Sequence, residues 1–192
     1  MRRRLDNGRR EELLDGVMAI VAARGFSDVR TAQLARDLHC SESSLYKIAP
    51  SKDSLIVLAI SHWGEATLAA MEAQARRGKS ASDRARAYFR AGARHTRTLS
   101  PAFYADMERF ESVRLAWWTS VVEPYLDRFV EFVQMAEDAG EIRPANIRFL
   151  AEVVRQISVV TRSERVLSAT GLTHEQAVLE IDSLLWDGLR LP

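Results

Sequence analysis

The chain has 192 residues, of which 47% are apolar, enough for one large domain or two small ones with a hydrophobic core. Cys40 is the only cysteine, which excludes an intrachain disulfide and therefore a secreted scaffold held by disulfides. The net charge of +1 hides a basic start, since residues 1–10 contain five arginines and one acid. No continuous apolar stretch follows the arginines, so we expect no signal peptide, no membrane span and a cytoplasmic protein.

Four helices are predicted in the first part of the chain, from apolar residues at helical spacing and from capping residues. The first ends at Gly25, as helices commonly end at glycine. Ser41 is expected to cap a short third helix, because its hydroxyl can accept a hydrogen bond from a free amide of the next turn. The predicted helices cover approximately residues 9–24, 31–38, 42–49 and 52–75.

Five further helices are predicted in the rest of the chain. Ser80 with Asp83 resembles a capping box, and Ser100-Pro101 marks the next helix start. Pro124 falls inside an apolar pattern, so we expect a kink or break near Ser120. Asn146 and the capping box 173–176 begin the last two helices. No strand pattern is present, and the sequence predicts an all-α fold with about nine helices.

Residues 31–49 have the organisation of a helix-turn-helix. Two short helices joined by a tight turn allow the second, about 12 Å long, to lie in the major groove of DNA while the first crosses the backbone. The residues expected to join the two helices are Leu34, Leu38, Leu45 and Ile48. The residues then left to face outward are Ser43, Ser44, Tyr46 and Lys47.

These residues resemble the signature of the tetracycline-repressor (TetR) family of bacterial transcription regulators. That signature consists of a glycine-aromatic pair, a short helix, a turn, Leu-Tyr, and then Ser-Lys-acid-x-Leu. The matching residues are Gly25, Phe26, Leu34, Ala35, Ser41, Leu45, Tyr46, Ser51, Lys52, Asp53 and Leu55. The resemblance implies an N-terminal three-helix DNA-binding domain over residues 1–52 and a C-terminal helical bundle over residues 53–192 that binds a ligand and forms a dimer.

The resemblance also implies which residues contact double-stranded DNA. Phosphate contacts are implied for Thr31, Tyr46 and Lys52, and base-edge or backbone contacts for Glu42, Ser43, Ser44 and Lys47, beside the cap residue Ser41. Glu42 either accepts a hydrogen bond from a base or only stabilises the helix start. The arginine arm, Arg2, Arg3 and Arg4, is expected to contact phosphates or the minor groove, the alternative being a solvated tail.

Three positions depart from the family pattern, and the first is Glu42, whose carboxylate at the start of the recognition helix is repelled by DNA phosphates. His39 occupies a turn position where the family usually has glycine, a place that often requires a positive φ. Ala49 stands where the family usually has a bulky aromatic side chain, so the packing of the third helix on the fourth must be completed by other residues.

A ligand cavity in the C-terminal bundle is implied by the resemblance, and large or polar side chains there are the candidates to line it. They are Trp63, Tyr88, His95, Phe103, Met107, Phe110, Trp117, Trp118, Tyr125, Arg155 and Arg162. For each aromatic residue the alternative is ordinary core packing. Arg155 and Arg162 lie seven residues apart on one helical face, and the alternative for them is an exposed or dimer-facing pair.

Homodimer formation through the last two helices is likewise implied by the resemblance. The candidate interface residues are Val153, Ile157, Val160, Ile181, Leu184, Leu185 and Leu189. A dimer presents two recognition helices to a palindromic operator, and a small molecule that favours another separation of the helices would release the DNA. Repression is the commoner mode in the family.

An enzyme and a ligand carrier are the alternatives to a regulator. His174-Glu175 begins like a zinc-protease helix, but Val178 stands where the second histidine belongs. The sequence has no Gly-rich phosphate loop and no Gly-x-Ser-x-Gly elbow, so we expect no enzyme, no cofactor and no metal site. The remaining alternative is a helical carrier of apolar ligands that has the same fold and does not bind DNA.

Overall fold

The computed structural model describes residues 6–161 and 163–189. Within these ranges every regular element is a helix, which confirms the all-α prediction. The helices are α1 Asn7–Arg24, α2 Thr31–Asp37, α3 Glu42–Ile48, α4 Lys52–Ala75, α5 Ala81–Thr96, α6 Pro101–Arg109, α7 Glu111–Trp117, α8 Glu123–Asp138, α9 Ile147–Val160, α10 Glu164–Thr170 and α11 His174–Leu189. A π-helical turn, Trp118–Val122, connects α7 to α8.

The predicted helix starts are confirmed by hydrogen bonds from first-turn amides to side chains. The capping side chains that accept such a bond are Ser41, Ser80, Ser100 and Asn146. At the start of α11 the capping box is reciprocal: the Thr173 amide donates to Gln176 Oε1 at 2.8 Å, and the Gln176 amide donates to Thr173 Oγ1 at 3.2 Å. Residues 41, 80, 100, 146 and 173 therefore fix the helix boundaries locally.

The structure differs from the nine predicted helices in two places. Phe110 has an extended backbone, φ −113° and ψ 99°, and separates α6 from α7. The short helix α10 was not predicted; it ends at Gly171, whose φ of 69° is left-handed. The expected interruption near Ser120 is present as the π-helical turn, which ends two residues before Pro124.

The helices divide into two compact units. Within the described residues, the first unit comprises 6–66 together with 98–121, and the second comprises 67–97 together with 122–161 and 163–189. The chain passes from one unit to the other inside α4. The first unit thus contains α1 to α3 and also α6 and α7, so the short helices near the N-terminus pack with a segment some sixty residues further along the chain.

The core of the first unit is built from apolar stripes of its helices. Val17 of α1, Leu34 of α2 and Leu45 of α3 have at most 1% of their surface exposed. α6 packs on α1, and the Ser100 amide just before α6 donates to the carbonyl oxygen of Ala22 at 2.8 Å. This hydrogen bond ties the start of α6 to the last turn of α1.

An aromatic cluster fills the space between α4, α6 and α7 in the first unit. Trp117 stacks on Trp63 with ring centroids 5.6 Å apart and meets Phe103 edge-on at 5.7 Å. Phe26 packs on Phe103 at 5.9 Å and on Phe110 at 5.4 Å. With Tyr104, these side chains form what we call the aromatic cluster: Phe26, Trp63, Phe103, Tyr104, Phe110 and Trp117.

The second unit is centred on α5, which packs against α8 and α11, while α8 packs against α9. Tyr88 of α5 stacks on Tyr125 of α8 with centroids 5.3 Å apart, and Phe89 packs on Phe129 at 5.6 Å. These contacts hold α5 and α8 together through aromatic side chains.

By length and composition, α4 is the one described helix that also qualifies as a candidate membrane span. In the structure, 39% of its most apolar 18-residue stretch is buried against other helices. A core helix of a globular protein passes the same test, so this observation alone is weak evidence for a membrane location.

Candidate functional site

The turn between α2 and α3 has the geometry that the sequence predicted. His39 has a φ of 49°, so it occupies the left-handed region at the position where the family usually has glycine. The amide of Cys40 donates to the carbonyl oxygen of Ala35 at 2.9 Å and closes the turn. Leu34 and Leu45 are buried, so the two short helices pack on each other as a helix-turn-helix.

The outer face of α3 is polar and accessible. Tyr46 has 50% of its surface exposed, and Glu42, Ser43 and Lys47 are also exposed. Two other predicted DNA contacts, Ser44 on α3 and Thr31 at the start of α2, are half-buried. The Ser41 hydroxyl lies 2.8 Å from the hydroxyls of Ser43 and Ser44, so the serines at the start of α3 form one hydrogen-bonded group. The outer face of α3 therefore presents hydroxyl donors and a lysine ammonium group, while its inner face is buried through Leu45.

Lys52, the first residue of α4, is engaged inside the protein. Its ammonium group donates to the carbonyl oxygen of Phe26 at 3.0 Å and to that of Ser27 at 3.3 Å. Two of its three N–H donors are therefore directed at the loop between α1 and α2. The sequence suggested a phosphate contact for this lysine and gave no sign of an internal partner.

Asp106 of α6, which sequence reasoning missed, binds the opposite side of the same loop. Its carboxylate accepts the Phe26 amide at 2.6 Å, the Ser27 amide at 2.8 Å and the Ser27 hydroxyl. Burial raises the pKa of this carboxyl, but the hydrogen bonds from Ser27 and Phe26 outweigh burial and hold the pKa below its usual value. An acid on the apolar stripe of α6, between Phe103 and Phe110, was the available signal.

We call the four residues Asp106, Phe26, Ser27 and Lys52 the loop clamp. Gly25 precedes the clamped residues with a φ of 77°, and a Cβ atom placed there would lie 2.5 Å from the Asp106 carboxylate. Glycine is therefore required both by the backbone conformation and by the close approach of α6. The close approach of Asp106 to the loop therefore explains why α1 is followed by glycine.

The residues predicted to line a ligand cavity are divided between the two units. Those in the first unit are Trp63, Phe103, Met107, Phe110, Trp117 and Trp118, and those described in the second are Tyr88, His95, Tyr125 and Arg155. Ordinary core packing is consistent with the burial of Phe103, Trp117 and Tyr88 by neighbouring side chains. Arg162 and the arm residues Arg2, Arg3 and Arg4 lie outside the described residues.

The second unit contains an open cleft of about 480 Å³ between α4, α5 and α8. It is lined by Leu68, Ala69, Glu72, Ala73, Arg76, Tyr88, Pro124 and Arg128, of which only Tyr88 was predicted. Arg128 donates to Glu72 through two nitrogens, with Nε–Oε2 at 2.9 Å and Nη2–Oε1 at 2.5 Å. The hydrogen bond from Arg128 lowers the pKa of Glu72, so one wall of the cleft is an ion pair.

The predicted polar candidates of the second unit have local partners. Arg155 forms an ion pair with Glu152 on the same helix at 3.3 Å. Burial lowers the pKa of His95, and the nearby charge of Arg94 lowers it further, which favours a neutral imidazole. Within the described ranges, no group of three or more His, Cys, Asp or Glu side chains could hold a metal ion.

Apolar side chains of α9 and α11 are exposed where the dimer interface was predicted. Leu184 has 74% of its surface exposed and Val160 has 48%, while Val153, Ile157, Ile181 and Leu185 are half-buried. Leu189, with 4% exposed, packs inside the chain itself and is not on this face. Sequence reasoning missed three exposed apolar residues of the same helices, Phe149, Val159 and Leu179.

Comparison with known proteins gave solved structures only; no family model and no curated protein matches the chain. One is a protein from Saccharomonospora viridis, described as a transcriptional regulator and solved in complex with choline. The alignment covers 97% of this chain and 100% of that protein's chain, with a TM-score of 0.76 and 13% identity. A protein from Rhodococcus sp., assigned as a TetR-family transcriptional regulator, covers 93% of this chain and 98% of its own with a TM-score of 0.73 and 16% identity. This chain has the TetR fold.

A third solved structure similar in fold to this chain is the transcriptional regulator FadR from Bacillus subtilis in complex with stearoyl-CoA. It covers 93% of this chain and 98% of its own, with a TM-score of 0.73 and 12% identity. The TM-scores establish a shared fold, and identities this low leave the activity of this chain to be argued from its own residues.

Proposed function

We propose that this chain is a ligand-responsive transcriptional regulator of the cytoplasm. In this proposal it binds a palindromic operator in double-stranded DNA as a homodimer, represses transcription and is released by a small molecule. The observation that carries the proposal is the exposed outer face of α3, where Ser43, Tyr46 and Lys47 project from a helix whose inner residue Leu45 is 1% exposed. The solved structures with the same fold are described as transcriptional regulators, which supports this proposal.

The chemistry of α3 suits a groove of DNA. Its seven residues span about 10 Å, a length that fits into the major groove. The Lys47 ammonium and the Tyr46 hydroxyl can donate to phosphate oxygens, and the serine hydroxyls can donate to or accept from base edges. Glu42 at the helix start can accept from a base amino group such as cytosine N4. In this proposal residues 1–52 form the DNA-binding domain.

The remaining part of the chain, residues 53–192, is proposed to bind the ligand and to form the dimer. The cleft of about 480 Å³ lies within the size range of small-molecule sites, about 300–1,000 Å³. Relatives in fold hold ligands as different as choline and stearoyl-CoA, so the fold accommodates several ligand classes. The exposed apolar residues of α9 and α11 supply a surface of the kind that a second copy covers.

The test is binding of the full-length protein to duplexes selected from random sequence, over a salt series from about 50 to 200 mM. A protein that contacts six or more phosphates loses about a thousandfold in affinity over that range. Tyr46→Ala and Lys47→Ala are expected to weaken binding about tenfold each, and Lys47→Ala to reduce the salt slope by about one. Lys79→Ala, at an exposed position between α4 and α5, is the matched control and should leave the affinity unchanged.

The carrier alternative is favoured by two observations on the proposed DNA surface. The Lys52 ammonium is directed at backbone carbonyls, and Glu42 places a negative charge at the start of α3. A carrier would show ligand-induced thermal stabilisation and no salt-sensitive affinity for any duplex. That combination of results would reject the regulator and retain the carrier.

A further inference from the structure

The two residues at the centre of the loop clamp are held from both sides by charged groups. Their amides face the carboxylate of Asp106 on α6, and their carbonyl oxygens face the ammonium group of Lys52 at the start of α4. Hydrogen bonds to charged groups are about twice as strong as neutral ones. Phe26 and Ser27 are therefore fixed relative to two helices at once, immediately before α2 begins.

Asp106 is also tied to the aromatic cluster through its own helix. Phe103, one turn earlier on α6, is fully buried and contacts Trp117 of α7 at 5.7 Å between ring centroids. Trp117 in turn stacks on Trp63 of α4. Any shift of α7 or of the cluster that moves α6 along its axis must move the Asp106 carboxylate relative to the loop.

A shift of the loop is expected to move the helix that it precedes. The Asp106 side chain is 8% exposed, so its charge must stay bonded to protein donors when it moves. Phe26 and Ser27 are followed after only three residues by Thr31, the first residue of α2. A displaced loop is therefore expected to reorient α2 and, through the packing of α2 on α3, also α3.

We propose that Asp106 is a positioning residue that couples the aromatic cluster to the orientation of the helix-turn-helix. The coupling runs from Trp117 through α6 and the loop clamp to α2 and α3. The inference rests on the proposed function in one respect, since it names the residue through which a change at the aromatic cluster alters DNA affinity. Coupling of this kind is reciprocal, so DNA at α3 also stabilises one position of α6.

The test is a double-mutant cycle on the full-length protein with Trp117→Phe, Asp106→Asn and both changes together. Hydrogen-deuterium exchange of residues 25–48 is measured without DNA, and the dissociation constant for a selected duplex is measured at fixed salt. Glu108→Gln is the matched control, because Glu108 is an exposed acid on the same helix. Allosteric coupling energies correspond to about 5-fold effects or larger, so that is the size of change sought.

The expected result is that Trp117→Phe changes both readouts about fivefold or more in the wild-type background and less than about twofold when Asp106→Asn is present. The Glu108→Gln background should behave like the wild type. A purely structural role predicts instead that Asp106→Asn raises exchange in the loop by the same factor whichever residue occupies position 117. An unchanged response to Trp117→Phe in the Asp106→Asn background would overturn the proposal and assign the coupling to the ring contact of Phe103 with Phe26.

A second variant covers the case in which Asp106→Asn does not fold. Ser27→Ala removes one of the three hydrogen bonds to Asp106 and keeps the carboxylate in place. It is expected to reduce the response to Trp117→Phe partially, and a full response would count against the clamp. If the wild type binds no duplex in a salt-sensitive way, the proposed function fails, and the exchange measurements alone still decide whether Asp106 couples the two regions.

Discussion

The carboxylate of Asp182 on α11 accepts three hydrogen bonds from the guanidinium group of Arg86 on α5, with Nε–Oδ1 at 3.4 Å, Nε–Oδ2 at 3.1 Å and Nη2–Oδ2 at 3.0 Å. Arg90, one turn further along α5, donates to the same Oδ2 atom at 2.8 Å. Asp182 has no exposed surface, whereas the arginine side chains are 30% and 41% exposed. The buried carboxylate thus pairs with two arginines whose side chains remain in contact with water. These ion pairs join α11 to α5.

Removing this acid should destabilise the second unit. Asp182→Ala is expected to lower the free energy of unfolding by about 2–3 kcal/mol, less than for a fully buried pair because both arginines can be rehydrated. Urea titration followed by circular dichroism measures the change. Glu180→Ala, at an exposed position of the same helix, should stay within about 0.5 kcal/mol of the wild type. Equal effects of the two changes would mean that the buried ion pair contributes no net stability.

Gly25 and Gly140 have similar φ values but different surroundings. Replacing each by alanine therefore distinguishes the cost of backbone strain from the cost of steric contact. Gly140 has a φ of 69° and no heavy atom within 4 Å of an added Cβ, so Gly140→Ala is expected to cost about 1 kcal/mol through the left-handed backbone alone. Gly25→Ala adds contacts with Asp106 and with the backbone of Ala102 at 3.2 Å, and should cost about 2–4 kcal/mol. Denaturant titration of the two variants side by side gives the difference. Equal costs would show that α6 moves away from the loop without penalty.

The carboxylate of Glu141 is expected to make the second unit less stable as the pH becomes acidic. Its carboxylate accepts the amides of Ser82 at 2.7 Å and Ala81 at 3.2 Å at the start of α5, and these bonds lower its pKa from 4.5 to about 2. A carboxyl whose pKa is lowered by folding stabilises the native state above its ordinary pKa of 4.5, and that stabilisation is lost as the pH falls from about 4.5 to about 2.

The corresponding experiment compares wild type and Glu141→Gln by denaturant unfolding at pH 7, 4 and 3. The wild type should be the more stable at pH 7, and its advantage should shrink as the pH is lowered. Glu65→Gln, at an exposed position in the first unit, serves as the control for the loss of a surface carboxylate. A constant advantage of the wild type down to pH 3 would contradict the role assigned to the Glu141 carboxylate.

The proposed dimer surface is tested by placing a charge in it. Leu184 is 74% exposed on α11, and Leu184→Glu is expected to convert a dimer into monomers in sedimentation velocity runs, because a carboxylate buried at an apolar interface loses its hydration. Leu115→Glu changes a leucine that is 59% exposed on α7 of the first unit and should leave the dimer intact. A wild type that is monomeric at all concentrations, or a Leu184→Glu variant that is still dimeric, would reject this surface.

Helix positions could be predicted from the sequence where the cause is local. Ser41, Ser80 and Asn146 begin helices because a side chain satisfies an amide only three residues away. The break at Phe110 could not be predicted, since neither glycine nor proline marks it. Its extended backbone accompanies a ring that packs on Phe26, a residue 84 positions earlier in the sequence.

Part of the candidate site could likewise be predicted from local sequence, and part of it depends on distant contacts. The outward face of α3 follows from Leu45 and helical periodicity, and the positive φ of His39 follows from its place in the turn. The roles of Lys52 and Asp106 depend on partners at Phe26 and Ser27, which are 25 to 80 residues distant, and no pattern within either helix identifies them. Such contacts become visible only once the fold brings the segments together.

Because residues 98–121 pack in the same compact unit as α1 to α3, the unit that contains the helix-turn-helix is discontinuous in the chain. A chimera made by transplanting residues 1–52 onto another C-terminal bundle would separate Ser27 from its acceptor on α6. A graft that carries the segment 98–121 along with the N-terminal helices keeps both halves of that contact. For chimeras built on this fold, the useful exchange boundary is therefore defined by contacts in space, and a single cut in the sequence does not reproduce it.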